Sequence, residues 1–343
     1  MLRRSFFGFI ILLLLGSCST SSVLVDIQRP ADITLGKDIK NVVVVNRSRP
    51  SKDNLAENIF EGLITGEGFG VDRKGAEYCV RGLANILSKS ERFNLKNIEA
   101  IELKGTGTSA FSVPLSSTEV RSICSSYQSD ALLVLETFDS DSRVRIGAPV
   151  TRTKKVKKIK IKEVFYPAIL TMSIESGWRI YEAETGRIID ENKFTEVKEF
   201  NASGATPKIA EQSLPSKRNA IEQSGVFAGE QYGFRISPIW IKVRRVYYTG
   251  KSDALKRAKS YVKTGDWDSA IDIWKEVVNS SNVKTAKRAA YNMAVASEIK
   301  EGLDAAIEWA KRAHSLGEKK ASSYINILKK RKIDRNKLKQ QLN

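Results

Sequence analysis

Two runs of consecutive apolar residues limit what this chain can fold into. Val42–Val45 lies in "IKNVVVVNRSRP" and ends at Asn46 to Pro50, and a second run lies in "DALLVLETFDSD". A strand with one wet face alternates apolar and polar residues, whereas an unbroken run needs cover on both faces. Helical periods stand between the two runs. "NLAENIFEGLITGEGFG" reads as a short helix and a Gly-rich loop, and "DRKGAEYCVRGLANILSKSERF" repeats Ala76, Cys79, Val80, Leu83, Ile86 and Leu87 on one helical face. "NIEAIEL" reads as a strand. "SSTEVRSICSSY" opens with Ser116 three residues before Glu119, the spacing of a capping box, ahead of a face of Val120, Ile123, Cys124 and Tyr127. The expected order is β-α-β-α-β.

Hairpins follow. "TMSIESGWRIYEAETGRIIDENKFTEV" reads as alternating strands around a turn at Glu184-Thr185-Gly186. Pro207 opens a helix, and a helical stretch carries Ile221, Gly225, Ala228 and Tyr232. Gly225 and Gly229 cost helix propensity, so a neighbour is expected to pack closely there. "IWIKVRRVYY" alternates and returns as a strand. Residues 32–249 are therefore expected to be an α+β domain, with helices on a mixed β-sheet.

After Gly250 the period is helical throughout. Ala258, Tyr261, Gly265, Trp267, Ala270 and Trp274, then Ala294, Leu303, Ala306 and Ala313, resemble two tetratricopeptide repeats. Ser297 and Ala310 replace expected aromatics, and Gly302 falls one place late. The resemblance implies a C-terminal all-α tetratricopeptide-like helical-repeat domain over 250–332, including a capping helix over 318–332. A basic tail over 333–343 is expected to fray.

The N-terminus sets the compartment. Arg3 and Arg4 precede the apolar stretch Phe6 to Leu15, which suits an export signal over residues 1–17 and is short of the roughly 20 residues of a membrane helix. Leu15-Gly16-Ser17-Cys18 resembles the bacterial lipobox. That implies a diacylglycerol and an acyl chain on Cys18, with residues 18–31 as a lipid-anchored polar tether. By the same resemblance, Ser19 rather than Asp directly after Cys18, and the absence of an acidic cluster, imply the periplasmic face of the outer membrane. The net charge is +18. In that compartment the available anions are lipid head groups, lipopolysaccharide and acidic proteins, so nucleic acid is not an expected partner. Cys79 and Cys124 could pair in an oxidising space, but two buried thiols are the favoured alternative.

The candidate chemistry is sparse. His314 is the one histidine of the chain and sits late in the second helix of the second repeat, which nearly excludes a Ser-His-Asp triad and a histidine-rich metal site. It reads as a helix-end residue. Gly66-Glu67-Gly68-Phe69-Gly70 lacks the Lys and Ser/Thr of a phosphate loop and reads as a connection. Asp139-Ser140-Asp141 reads as a strand-end turn. Glu182, Glu184, Asp190 and Glu191 surround a hairpin turn, and nothing isolates an acid/base pair among them. No enzymatic activity, cofactor or metal is expected.

The stretch "RVRIGAPVTRTKKVKKIKIKEVFY" holds more. Val144 and Ile146 alternate with Arg143 and Arg145, and Ile159 and Ile161 alternate with lysines. This predicts a β-hairpin arm at about 143–166 with one basic face. It is either an ordinary solvated edge or a contact to an anionic surface, with Arg152, Lys154, Lys155, Lys157, Lys158, Lys160 and Lys162 as candidate contacts. The alternation is too short for a barrel strand.

"DIQRPADITLGKDIKNVVVVNRS", "VLETFDSDS", "GWRIYEAETGRIIDE" and "YNMAVASEIKEGLDAAIEWAKRA" together resemble an uncharacterised family of Bacteroidetes outer-membrane lipoproteins, with an α/β domain before tetratricopeptide-like helices. That resemblance implies no activity. A more distant, fold-level resemblance is to the curli-secretion-channel lipoproteins. The expected function is a lipid-anchored scaffold or assembly factor that binds an envelope protein or peptide through its repeats. Tyr261, Trp267, Trp274 and Tyr291 are the candidate contacts, although such aromatics more often fill repeat cores. The alternative is an oligomeric subunit of an envelope transport or secretion complex. A third class, an envelope hydrolase, lacks its carboxylate pair.

Overall fold

The computed structural model describes residues 19–50, 71–96, 101–106, 110–156 and 159–342. The valine run lies in β2 (Asn41–Pro50), inside a seven-stranded mixed sheet. β2 pairs in parallel with β3 (Asn94–Leu95) and β4 (Ile101–Gly105), and with β5 (Ala131–Ile146), where Val42 to Asn46 face Ala131 to Leu135. β7 (Ile159–Glu182) runs antiparallel to β5. It also pairs with β8 (Ile188–Gly204) and, at its beginning, with β6 (Val150–Val156).

Both runs are covered on two sides, as their composition requires. Val42, Val44, Leu133 and Leu135 share a core with α1 (Val71–Leu87) and α4 (Lys217–Ile236). Val43, Val45, Leu132 and Val134 share another with Val120 and Cys124 of α2 (Ser117–Ser126). The sheet separates Cys79 from Cys124, and both are buried free thiols. Ser116 and Glu119 form the expected capping box on α2. Thr206 caps α3 (Pro207–Gln212). Gly186 takes φ +71° in the turn after β7.

Glycine allows α1 and α4 to touch backbone to backbone. A Cβ on Gly229 would lie 1.8 Å from the Cys79 carbonyl oxygen, and one on Gly225 would lie 2.4 Å from that of Gly75. A Cβ on Gly82 would in turn lie 2.1 Å from the Val226 carbonyl oxygen. No side chain fits between these helices at those points.

The chain divides into two compact units. One is Gln28–Trp240 with residues 338–342, and the other is Ile241–Lys337 with residues 19–27. The second unit is mainly helical: α5 (Asp253–Lys263), α6 (Trp267–Val277), α7 (Val283–Ile299), α8 (Leu303–Ser315) and most of α9 (Lys320–Leu342). Asn292 of α7 holds the end of β9 (Ile239–Tyr248). Its amide oxygen accepts the Tyr248 N–H at 2.7 Å, and its amide nitrogen donates to the Tyr248 carbonyl at 2.8 Å.

Three expectations are corrected. Residues 20–29 are not a tether: they form β1 (Thr20–Arg29), which pairs with β9, and Val25 is buried. The basic tail does not fray, because α9 continues to Leu342. There Gln341 accepts the Ala31 N–H and donates to the Ala31 carbonyl, both at 3.0 Å. Asp139-Ser140-Asp141 is not a strand end but the middle of β5.

Candidate interaction surfaces

The arm is present as a hairpin. β6 and β7 pair from Val150 opposite Phe165 to Val156 opposite Ile159, beyond the last β7–β8 pair, Tyr166 opposite Gly204. It does not carry one basic face. Lys160 and Lys162 alternate with Ile161 and Glu163, and Arg152 stands opposite Glu163. Arg152 therefore shares its face with Val150, Ile161, Glu163 and Phe165, while Lys160 and Lys162 share theirs with Thr151, Thr153 and Val164. Neighbours in a strand point to opposite faces, so a sequence rich in lysine doublets cannot gather its charge on one side. The Arg152 guanidinium lies 5.5 Å from the Phe165 ring centre. Lys160 and Lys162 are exposed and make no ion pair among the described residues. Lys154 and Lys155 lie in β6. Lys157 and Lys158 lie outside the described residues, as do Cys18 and the Gly66–Gly70 loop.

The four aromatics proposed for partner contact do not form one surface. Trp274 is 0% exposed and Tyr291 is 7%, and both belong to the helical core. Trp267 is half-buried, with its ring 6.4 Å from that of Trp274. Tyr261 is 42% exposed and is the one open to a partner. Trp274 and Tyr291 are core residues because small side chains around them leave room for a large ring: Ala258, Ala270, Ala294, Ala306 and Ala310 are all sealed.

Sequence reasoning missed two polar nodes. Glu136 sits at an irregularity of β5 between Leu135 and Thr137, and a bulge of this kind re-aims a side chain. Its carboxylate is fully buried. It accepts from Arg47 at 3.3 Å, Arg179 at 3.3 Å and the Tyr181 hydroxyl at 3.2 Å. Arg47 also donates to the Val113 carbonyl at 2.8 Å. Arg179 donates to the Ser112 carbonyl and to Glu191, both at 2.6 Å, and lies 4.7 Å from the Phe111 ring centre. The node thus fastens residues 111–115 to the sheet. Burial pushes the Glu136 carboxyl above its ordinary value, and the two guanidiniums do not cancel that.

The second node is Glu298 in α7, which is also buried. Arg245 of β9 grips it with two bonds, at 2.7 and 2.9 Å, and Arg331 of α9 adds one at 2.6 Å. The Tyr324 hydroxyl donates to the same carboxylate. Burial raises this carboxyl, but the bonds from Arg245, Tyr324 and Arg331 outweigh it and hold the group below its ordinary value. Both nodes are sealed and saturated, so they bind the fold together and reach no substrate.

Of the remaining acidic candidates, Glu184 is exposed and the other three are occupied separately. Glu182 pairs with Thr185 and Arg187, and Asp190 with Arg235 at 2.7 Å, while Glu191 holds Arg179. Among the described residues, no group of His, Cys, Asp and Glu is placed to hold a metal, and no helix is long and apolar enough to cross a membrane.

No curated protein matches this chain. A crystal structure of a neuraminyllactose-binding hemagglutinin homolog from Helicobacter pylori is similar over 60% of this chain and 86% of its own, at 11% identity and a TM-score of 0.25. At that score the likeness carries no weight for fold or function. Residues 256–330 match the model of a second family, Domain of unknown function (DUF6340). Residues 39–248, more than half of the sequence and most of the sheet-bearing unit, match the model of another, and the chain belongs to that family, Domain of unknown function (DUF8603).

Proposed function

We propose that this is a lipid-anchored envelope protein, held through Cys18 at the periplasmic face of the outer membrane. It acts as a scaffold or assembly factor and binds a partner protein or peptide through tetratricopeptide-like helix pairs. One observation carries the reading. Ala258, Ala270 and Trp274 in α5 and α6 are spaced from Ala294, Ala306 and Ala310 in α7 and α8 by the same 36 residues, and all six are 0% exposed. Equal spacing of sealed positions in successive helix pairs is how a stacked array buries a continuous core. Such arrays leave their outward faces free for partners. Here Tyr261 is the exposed aromatic of that region and Trp267 is half-covered.

A photo-crosslinking residue at Tyr261, in cells carrying the lipidated protein, tests the reading. The expected result is one discrete adduct with another envelope protein, lost when Trp267 is changed to Ala. The same adduct from a crosslinker placed at Lys162 on the arm, or none at Tyr261, would sink it.

A further inference from the structure

β8 runs 17 residues along an open edge. Among the described residues its only ladder is with β7, and no backbone hydrogen bond reaches its other side. It contains no proline. Such an edge is a template for another strand unless something blunts it.

Burial alternates along β8. Phe194, Glu196, Lys198 and Phe200 are partly covered, whereas Lys193, Thr195, Val197 and Glu199 are open, with Val197 54% exposed. Phe194 and Phe200 pack against the core shared with α4. Charges on the covered face blunt an edge against arbitrary strands. Here their order about Val197 is complementary to itself. In an antiparallel copy with Val197 opposite Val197, Glu196 faces Lys198 and Phe194 faces Phe200, each twice by symmetry. On the open face Thr195 meets Glu199 and Lys193 meets Asn201. No like charges oppose one another from Asp190 to Gly204. A slip of two residues either way puts Glu196 on Glu196 or Lys198 on Lys198, which the pairing energetics disfavour.

The isolated chain leaves both charges unmatched. Glu196 makes no ion pair or side-chain hydrogen bond among the described residues, and burial raises its carboxyl. The Lys198 ammonium lies near the Phe200 and Phe227 rings and donates to the Gln223 carbonyl, without a carboxylate. We propose that two copies of this chain pair edge to edge through β8, antiparallel, with Val197 on the twofold axis, so that one sheet runs through both. A twofold normal to the sheet keeps both helix layers on the same face, so covered residues meet covered residues. The pairing goes beyond the partner reading above and stands or falls separately from it.

Cysteine crosslinking of the full-length protein tests this pairing. Cys79 and Cys124 are buried, and Cys18 is changed to Ser in every protein tested, so the Cys18→Ser protein serves as the blank. Under mild oxidation Val197→Cys is expected to give a disulfide dimer. Ser203→Cys alone gives none, but mixed with Glu191→Cys it does. Lys198→Glu is expected to weaken the dimer about tenfold by sedimentation, because like charges then face each other twice. Adding Glu196→Lys to it restores the dimer. A Cys18→Ser protein that sediments as a monomer at micromolar concentration, or crosslinking of Ser203→Cys alone as strong as that of Val197→Cys, would overturn the proposal.

Discussion

Glu136 in the sheet and Glu298 in the helical unit are held by the same kinds of partner. Each is sealed from solvent, and each meets two arginines and one tyrosine hydroxyl. Their carboxyls nevertheless shift in opposite directions, up for Glu136 and down for Glu298. The difference lies in where the short bonds go. At Glu298, Arg245 and Arg331 spend their closest contacts, 2.6 to 2.9 Å, on the carboxylate. At Glu136 the arginines approach to 3.3 Å, and their shorter bonds run to Val113, Ser112 and Glu191. Glu298 is therefore the hub of its node. Glu136 is a counter-ion to arginines whose main contacts position a loop. An inventory of partners does not decide a buried charge; the distances and the competing acceptors do.

The largest expected effect follows from that contrast. Glu298→Gln strands two buried guanidiniums and is expected to cost about 3–5 kcal/mol. Glu136→Gln leaves Arg47 and Arg179 their carbonyl acceptors and is expected to cost about 1–2 kcal/mol. Chemical denaturation gives the sizes, and hydrogen exchange gives the places: α7 and β9 should loosen in the first variant, residues 110–116 in the second. Equal losses would break the comparison.

Neither node was legible in the sequence, whereas the cores around them were. Val42–Val45 and Ala131–Leu135 demand cover on both faces whatever lies elsewhere in the chain. The face from Ala76 to Leu87 and the Ser116–Glu119 box are likewise local, and Gly225 and Gly229 announce close packing without naming the neighbour. A node has no such local pattern. Glu136 draws its partners from β2 and β7, and Glu298 from β9 and α9. The one hint at each is a carboxylate breaking an apolar run, in "ALLVLE" and "MAVASE". β1 was missed for a related reason. Val23, Val25 and Ile27 alternate too briefly among serines to signal a strand, and the partner that makes them one, β9, is some 220 residues away. The arm shows the limit from the other side. Its existence follows from alternation, but which face carries which charge needs the β6–β7 register.

Acid separates the nodes by sign. The lowered folded value of Glu298 makes its stabilisation complete above the unfolded carboxylate value of about 4.3. That stabilisation is lost as pH falls below it, through the folded value. For Glu136 the folded value is raised, so ionisation opposes folding. Stability is gained as pH falls from neutral through that raised value towards about 4.3. Relative to Glu136→Gln, the wild type should therefore improve on mild acidification. Relative to Glu298→Gln, its advantage should shrink only below about pH 4.3. Unfolding free energies of the three proteins between neutral and strongly acid pH check this, and parallel trends for both variants would remove the distinction.

The tyrosines give the last contrast, and Tyr181→Phe the smallest expected effect. The Tyr324 hydroxyl donates to a carboxylate that stays ionised, so Tyr324→Phe removes a charge-assisted bond worth about 1.5–3 kcal/mol. The Tyr181 hydroxyl donates to Glu136 at 3.2 Å and accepts the Leu115 N–H at 3.2 Å, two ordinary bonds of modest geometry. Tyr181→Phe is expected to cost about 0.5–1.5 kcal/mol, with faster exchange at the Leu115 amide as its local sign. The order of the two losses matters more than their size. If Tyr181→Phe proved the costlier change, Glu136 would be drawing its stability from that hydroxyl, and its arginines could no longer be assigned mainly to the loop.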